Sequence, residues 1–404
     1  MATKGKSDVR EQRQMGELGP RVARTAAVIG VLGLAASGVL ALRHTPDTIT
    51  KFYEAYLVNY CYFLSLSLGA IFFVLLHHVT RSGWSVVVRR LAEIIAANVV
   101  LLIPLFIPIF VGLPNLYRWM HADQMAQDEI LLGKRPYLNA TFFTVRFVIY
   151  FLVWAWTARY FLKRSTEQDA SGDIGLTLRM ERWSGPALVL YAFTTTFASF
   201  DLIMSLDAHW YSTIFGVYFF AGSAVGFFAL LALVTMWVQS RGRLTGSITA
   251  EHYHHIGKWI FTFVFFWGYI GFSQYMLIWY ATLPEETSWI FARQTGTWMW
   301  VALILLFGHF CVPFTVMLSR TTKRRLGLLG FFAAWMLVMH WIDVWWMITP
   351  RLSPGEARFD WLHVTTLVGL GGLSVAWMAR QATRRSLMPE QDPRLPESLA
   401  FENT

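Results

Sequence analysis

The sequence predicts an all-α integral membrane protein with about ten transmembrane helices, on three observations. Of its 404 residues, 55% are hydrophobic and only 15% charged, whereas a soluble domain carries about 25% charged residues. So few charges cannot cover a water-exposed surface of this size. Apolar runs of about 20 residues, the length that crosses a bilayer, recur along the chain. Lys and Arg concentrate in alternate connections between those runs. Together these features exclude a disordered chain, a collagen-like fibre and an ordinary soluble enzyme.

Ten runs qualify, near 24–42, 57–78, 90–113, 139–161, 185–206, 211–238, 257–281, 296–319, 326–349 and 361–379. They make one transmembrane domain over 24–379 between polar tails at 1–23 and 380–404. The C-terminal tail, with its prolines and acids, is expected to be extended. The first 20 residues are too polar for the apolar core of a signal peptide, so the first run is expected to stay. With the N-terminus inside, 25 of the 34 Lys and Arg fall on inner segments, 8 on outer ones, and Arg146 lies within a run. Because basic residues stay on the cytoplasmic side, both termini are expected in the cytoplasm. The same asymmetry accounts for the net charge of +9 without a nucleic-acid partner. Pro104 and Pro108 are expected to kink the third span. Spans 2–5 and 6–9 are the candidate helix groupings.

An ionisable side chain inside a bilayer costs about 2.5–3.5 kcal/mol on insertion scales, so those within the runs carry most of the functional information. Asp201 sits about two turns below the outer end of span 5, and Asp207 and His209 close that span. They read as a carboxylate–imidazole chain leading inward from the outer surface, or as caps in the headgroup region. Arg146 lies about 10 Å below the outer end of span 4. It needs a carboxylate, and Asp201 and Asp343 lie at similar depth; snorkelling is the alternative. His340 and Asp343 are i,i+3 in span 9, so they can touch. They form either a proton-accepting pair or a packing pair. His309, in mid-span 8 one turn before Pro313, is a relay or a core histidine. On the inner side, Glu93 has Arg89 and Arg90 at i−4 and i−3, and reads as a proton entry or an interfacial ion pair. Ser273, Gln274 and Tyr275 in span 7 can hydrogen-bond a quinone carbonyl, waters or neighbouring helices.

Metal and bound redox chemistry find no ligand set. His252, His254 and His255 lack carboxylate or Cys partners at ligand spacing. His309 and His340 read as displaced along the membrane normal, which disfavours a bis-histidine haem. Cys61 and Cys311 are too few for an iron–sulfur cluster or a structural zinc, and no Cys-x-x-Cys-His is present for covalent haem. No phosphate-binding loop, Ser–His–Asp arrangement or metalloprotease motif occurs. No catalytic residue and no metal ligand is therefore assigned, and any redox work falls to a diffusible quinol or to partner subunits.

Several segments look familiar together. They are Ser82-Gly-Trp-Ser85, Leu132-Gly-Lys-Arg-Pro-Tyr-Leu138, the run from Asp201 to Thr213 with the Ile-Phe-Gly-Val-Tyr-Phe after it, Phe272–Tyr280 with Pro284-Glu-Glu286, and His340-Trp-Ile-Asp343. On them the chain, from about 82 to 350, resembles the ActF-type membrane subunit (quinone-binding subunit 2) of bacterial alternative complex III, a quinol:cytochrome c oxidoreductase. That subunit belongs to the NrfD/PsrC-like superfamily. The segment after span 1 is shorter than in many relatives. The resemblance implies two four-helix bundles plus two peripheral helices in a bacterial inner membrane. It implies an ActC-type paralogous membrane subunit as partner, with haem c and iron–sulfur clusters in further subunits. It also implies contact with lipid and, through the complex, with cytochrome c or a terminal oxidase. A proton-conducting role is suspected at positions matching Asp201, Asp207, His209, Ser273, Gln274, His340 and Asp343, a picture that Glu93 and Arg146 fit.

Three functions compete. The first is a subunit of a quinol-oxidising electron-transport complex with proton half-channels and no redox centre of its own. The second is a purely structural membrane anchor of that complex. The third is a stand-alone secondary transporter, against which no pair of matched Gly- and Pro-broken helices is found.

Overall fold

The computed structural model describes residues 12–42 and 46–402. Among the described residues the chain is helical, with no strand beyond two isolated bridges. Nine of the described helices are long and apolar enough to span a membrane, and a bent pair makes a tenth. In chain order they are α1 (Leu18–Ala41), α2 (Pro46–Val79), the bent α3 (Val86–Leu102 with Pro104–Val111), α4 (Ala140–Ser171) and α5 (Ile174–Leu202). They continue as α6 (Phe215–Ser240), α7 (Ala250–Ala281), α8 (Trp298–Met317), α9 (Leu326–Leu352) and α10 (Trp361–Thr383). Each of the ten expected spans has its helix. Most of the observed helices overrun one or both expected ends, as α4 does where polar residues from Lys163 to Ser171 continue the backbone ladder beyond the apolar stretch, whereas α8 falls within its expected bounds.

Local sequence sets the breaks. α3 bends by 50° before Pro104, as a residue without an N–H and with a clashing ring requires. Carbonyls released around the break are taken by two tyrosines of α2: Tyr60 donates to Leu102 O at 2.9 Å and Tyr56 to Leu105 O at 2.7 Å. In α8, residues Leu305–Cys311 wind as a π-helix just before Pro313, and the indole of Trp335 donates to Gly308 O at 2.7 Å. α4 ends on Gly172 at φ +65°, and Asp173 caps α5 through Gly175 N–H at 2.7 Å. Thr249 with His252 and Asp360 with His363 close reciprocal caps on α7 and α10. These two histidines are therefore helix caps.

α2 through α5 close one four-helix bundle and α6 through α9 a second, with α2 and α6 packed together at the centre. α2 is almost wholly buried, whereas most of α1 is not. α1 and α10 form a peripheral pair against α2. Their backbones meet through Ala26, Gly30, Gly33 and Ser37 on one side and Thr365, Gly369 and Gly372 on the other. A Cβ at Gly30 would lie 2.6 Å from Leu373 N, and one at Gly372 2.5 Å from Gly30 N. This is the small-residue contact that lets membrane helices approach closely.

The tails differ from expectation. The described N-terminal residues bridge to Arg243 and Ser386, so both ends lie on one face of the bundle, here the terminal face; the opposite one is the far face. Residues 386–402 form a packed strap, not an extended tail. Leu387 N donates to Arg13 O at 2.7 Å, Arg394 meets Glu181 at 2.7 Å, Asp392 pairs with Arg89, and Leu395–Leu399 is helical. Leu387 and Met388 are buried. One of the acids that suggested a solvated tail, Asp392, pairs with the buried Arg89.

Candidate functional site: two buried polar clusters

In the first bundle, Asp201 stands where α5 gives way to a 3-10 turn at Ile203. Arg146 of α4 grips it with two parallel bonds, Nε to Oδ2 and Nη2 to Oδ1, both 2.8 Å. Tyr150, one turn further along α4, donates to Oδ2 at 2.9 Å. The third arm of Arg146 donates to Tyr137 O at 2.9 Å, and the guanidinium lies 3.8 Å from the Tyr137 ring centre and 4.5 Å from that of Phe142. Arg146 is paired, so it does not snorkel. The partner is Asp201, not Asp343. Ser205 donates to the Asp201 backbone carbonyl at 2.6 Å.

In the second bundle, Asp343 meets no Lys or Arg among the described residues. Its oxygens accept the Tyr218 hydroxyl of α6 at 2.6 Å and the Trp267 indole N–H of α7 at 3.1 Å. His340 Nε2 lies 2.7 Å from Ser65 Oγ of α2. Ser65 gives its own proton to Tyr62 O at 2.7 Å, so its oxygen accepts the His340 Nε2–H. That assignment leaves His340 Nδ1 as a bare acceptor, and it has no hydrogen-bond partner. Neither ring nitrogen of His309 has one either; the imidazole stacks on Trp267 at 4.0 Å. Ligand-capable atoms of His309, His340 and Asp343 lie within 4.8 Å of one another, and all three residues are fully buried. No direct bond joins His340 to Asp343.

This cluster corrects the relative depth read from sequence. His309 lies eleven residues below the far end of α8 at Trp298, and His340 twelve below that of α9 at Leu352. At about 1.5 Å per residue both are about 17 Å deep. The apparent displacement came from ending span 9 at 349 and starting span 8 at 296. Room for the cluster comes from α6: a Cβ at Gly222 would sit 3.2 Å from His340 Nδ1 and 3.3 Å from Asp343 Oδ2, and one at Gly226 2.6 Å from His340 Cδ2.

The remaining candidates disperse. Asp207 and His209 do not continue inward from Asp201. Asp207 faces Arg351 at 3.7 Å and His209 faces Asp128 at 2.5 Å, because the chain leaves helical geometry after Leu202. Lys134 donates to Ala208 O at 2.5 Å, and desolvation lowers its ammonium pKa despite Asp207 and Asp128 nearby. Between this surface and Asp343 lies Arg293, on the far-face helix Pro284–Gln294. It donates to Trp289 O, Trp346 O and Met347 O at 2.9, 3.2 and 2.7 Å, with the Trp289 ring 3.5 Å away. The Trp346 carbonyl is the one that Pro350 cannot bond. Burial lowers the Arg293 pKa to about 9.

Consecutive residues on a helix do not face one another, and Ser273, Gln274 and Tyr275 separate accordingly. Gln274 is buried with Oε1 unpartnered, Ser273 is half-buried and Tyr275 exposed. They do not form one binding group. Glu93 is not an open entry: it is 1% exposed, within 3.0 Å of Arg90 and 3.7 Å of Arg89. Both arginines also hold the strap or its support, Arg89 through Asp392 and Arg90 through Asp169 and Ser386 O. Beside Glu93 is a cavity with room for about one water, lined by Ile71, Val74, Ala96, Thr157 and Phe161 among others. His252 bonds Thr249 and Ser398 O.

Sequence reasoning missed Ser65, Tyr218, Trp267 and Gly222. Tyr218 and Gly222 carried a signal, a tyrosine and a glycine one turn apart in an otherwise apolar span. No protein-family model and no curated protein matches the chain. The fold and the clusters define a multi-pass membrane protein whose two bundles each enclose an aspartate.

Proposed function

We propose that this chain is the ActF-type membrane subunit of a quinol-oxidising complex, seated in a bacterial inner membrane with both termini in the cytoplasm, and that it carries protons through its second bundle. The observation that carries the reading is the enclosed group of His309, His340 and Asp343. Burying such groups in a bilayer is costly and is kept where ions or protons move. Asp343 is held by neutral donors alone, so a proton can neutralise it without leaving a cation unpaired. His340 Nδ1 and the His309 nitrogens offer adjacent acceptors within the same 4.8 Å. Electron transfer takes place in partner subunits bearing haem c and iron–sulfur clusters, and the ActC-type partner holds the main quinol site. Coupling requires an element whose two states the redox event biases.

The anchor reading draws on the first bundle, where Asp201 is fully satisfied by Arg146 and Tyr150. Two experiments test these readings. The tagged protein is purified from its native membrane in mild detergent, and its visible spectrum and co-purifying chains are recorded. Haem c absorbance with iron–sulfur and paralogous membrane subunits is expected. A colourless solitary protein overturns the complex. In the assembled complex, Asp343→Asn lowers protons moved per electron at unchanged haem content; unchanged proton movement leaves the anchor.

A further inference from the structure

The charges of α4 and α5 form a closed account with three members left over. The two helices and their connection carry five acids: Glu167, Asp169, Asp173, Glu181 and Asp201. Glu167 pairs with Arg164 at 2.7 Å and Lys163 at 3.7 Å. Asp169 is taken by Arg90, Glu181 by Arg81 and Arg394, and Asp201 by Arg146. Asp173 caps α5. Arg159, Arg179 and Arg182 remain, all exposed, and none meets a carboxylate among the described residues.

These three arginines lie within about one helical turn of a single aromatic pair along α4 and α5. Trp156 of α4 and Trp183 of α5 meet edge to face at 5.9 Å and are 44% and 48% exposed. Tyr160 stacks on Trp156 at 5.2 Å. α4 and α5 are antiparallel, so Arg159 (i+3 from Trp156) and Arg179 (i−4 from Trp183) both lie one turn nearer the terminal face. Arg182 adjoins Trp183. Trp156 is sixteen residues, about 24 Å, from the far end of α4 and Arg159 about 28 Å, so in a hydrocarbon layer about 30 Å thick the aromatic pair lies within its inner margin and Arg159 at its edge. The arginines then stand at headgroup level. Towards the bilayer centre the seam is lined by exposed Leu152, Val189, Leu190 and Phe193.

We propose that the α4–α5 seam is a binding site for an anionic phospholipid. Its phosphate is held by Arg159, Arg179 and Arg182, its glycerol region lies against Trp156 and Trp183, and an acyl chain lies on the apolar furrow. Charge complementarity and depth together select this ligand. Three guanidiniums lack an anion among the described residues, and the amphipathic indoles mark the layer where lipid phosphates sit. A basic side chain near such a surface contributes about a fivefold gain in lipid affinity.

The test is native mass spectrometry of the full-length protein, delipidated in detergent and titrated with diphosphatidylglycerol or, separately, phosphatidylcholine. The expected result is preferential retention of the anionic lipid. Arg159→Gln/Arg179→Gln/Arg182→Gln weakens that retention on the order of a hundredfold, with phosphatidylcholine unaffected. Arg380→Gln/Arg384→Gln, which removes exposed charge elsewhere on the same face, retains it. Equal retention of both lipids by the native protein overturns the site, as does an equal loss in the control variant. Displacement of the lipid by millimolar inorganic phosphate overturns the lipid assignment.

Discussion

The two bundles each bury one aspartate in the membrane domain, and they neutralise it in opposite ways. Asp201 receives a guanidinium through two bonds and a tyrosine through a third. Asp343 receives only a tyrosine hydroxyl and an indole N–H, with acceptor nitrogens of His309 and His340 beside it. A charge that is already compensated gains nothing from a proton. A charge held by neutral donors does. The first bundle thus has the build of a lock and the second that of a proton site. Among residue types that looked equivalent in sequence, the neighbours decide the role.

The largest effect should come from breaking the lock. Arg146→Leu leaves Asp201 buried and uncompensated, at a cost of about 3–5 kcal/mol. The expected result is a variant that fails to accumulate in membranes or melts far below the native protein in detergent. Arg146→Leu/Asp201→Leu removes both charges and should regain most of that loss. If the double variant accumulates and still moves protons in the complex, Asp201 is a lock. If it accumulates and proton movement stops, the contrast between the bundles fails.

A smaller effect is expected at the second cluster. Asp343→Asn keeps the shape but turns an amide N–H₂ toward a donor, costing about 1–3 kcal/mol, so the protein should still assemble. Gly226→Ala brings a Cβ to 2.6 Å from His340 and 2.9 Å from Leu66, an overpacking worth about 1–3 kcal/mol. It should displace the imidazole without removing any titratable group. Infrared difference spectroscopy of the carboxyl stretch reads both: Asp343→Asn abolishes a pH-dependent band and Gly226→Ala shifts it. A band untouched by either variant assigns the proton to another residue.

Beyond the bundles, Gly30→Val should separate α1 from α10. The added Cβ starts 2.6 Å from a backbone nitrogen that cannot yield. The expected loss is confined to this pair, read as faster proteolysis of α1 with the melting of the two bundles unchanged. Cooperative loss of the whole fold would make the peripheral pair part of the core.

The spans were legible because apolar length is a one-dimensional property, and the Pro104 bend because proline acts locally. The partner of Arg146 was legible as a choice of two, since depth along a helix can be counted but rotation cannot. The companions of Asp343 were not legible. Tyr218 and Trp267 come from helices distant in sequence, and Ser65, the partner of His340, comes from the other bundle. The depth of His309 was misread by a few residues at two helix ends, where the chain gives the weakest signal. The strap was misread because acids and prolines describe a solvated tail equally well until the buried Arg89 and Arg90 are seen beneath it.

The smallest effect is at the far face, where Asp128 of the α3–α4 connection meets His209 of the α5–α6 connection at 2.5 Å. Desolvation pushes the Asp128 carboxyl up, but the Leu131 N–H, the His209 bond and the Ile130 N–H outweigh it, so its pKa lies below the ordinary 3.8. A depressed carboxyl favours the folded loop above its unfolded pKa, and that contribution is lost as pH falls through the lowered value. The α3–α4 connection should therefore be uniformly protected from hydrogen exchange at pH 5 and loosen below about pH 4. Asp128→Asn should show the loosened exchange already at pH 5, with the bundle helices unaffected. Because both partners are partly exposed, the effect should shrink in high salt. A loop equally protected in the variant would mean that Lys134 on the Ala208 carbonyl holds the connection by itself.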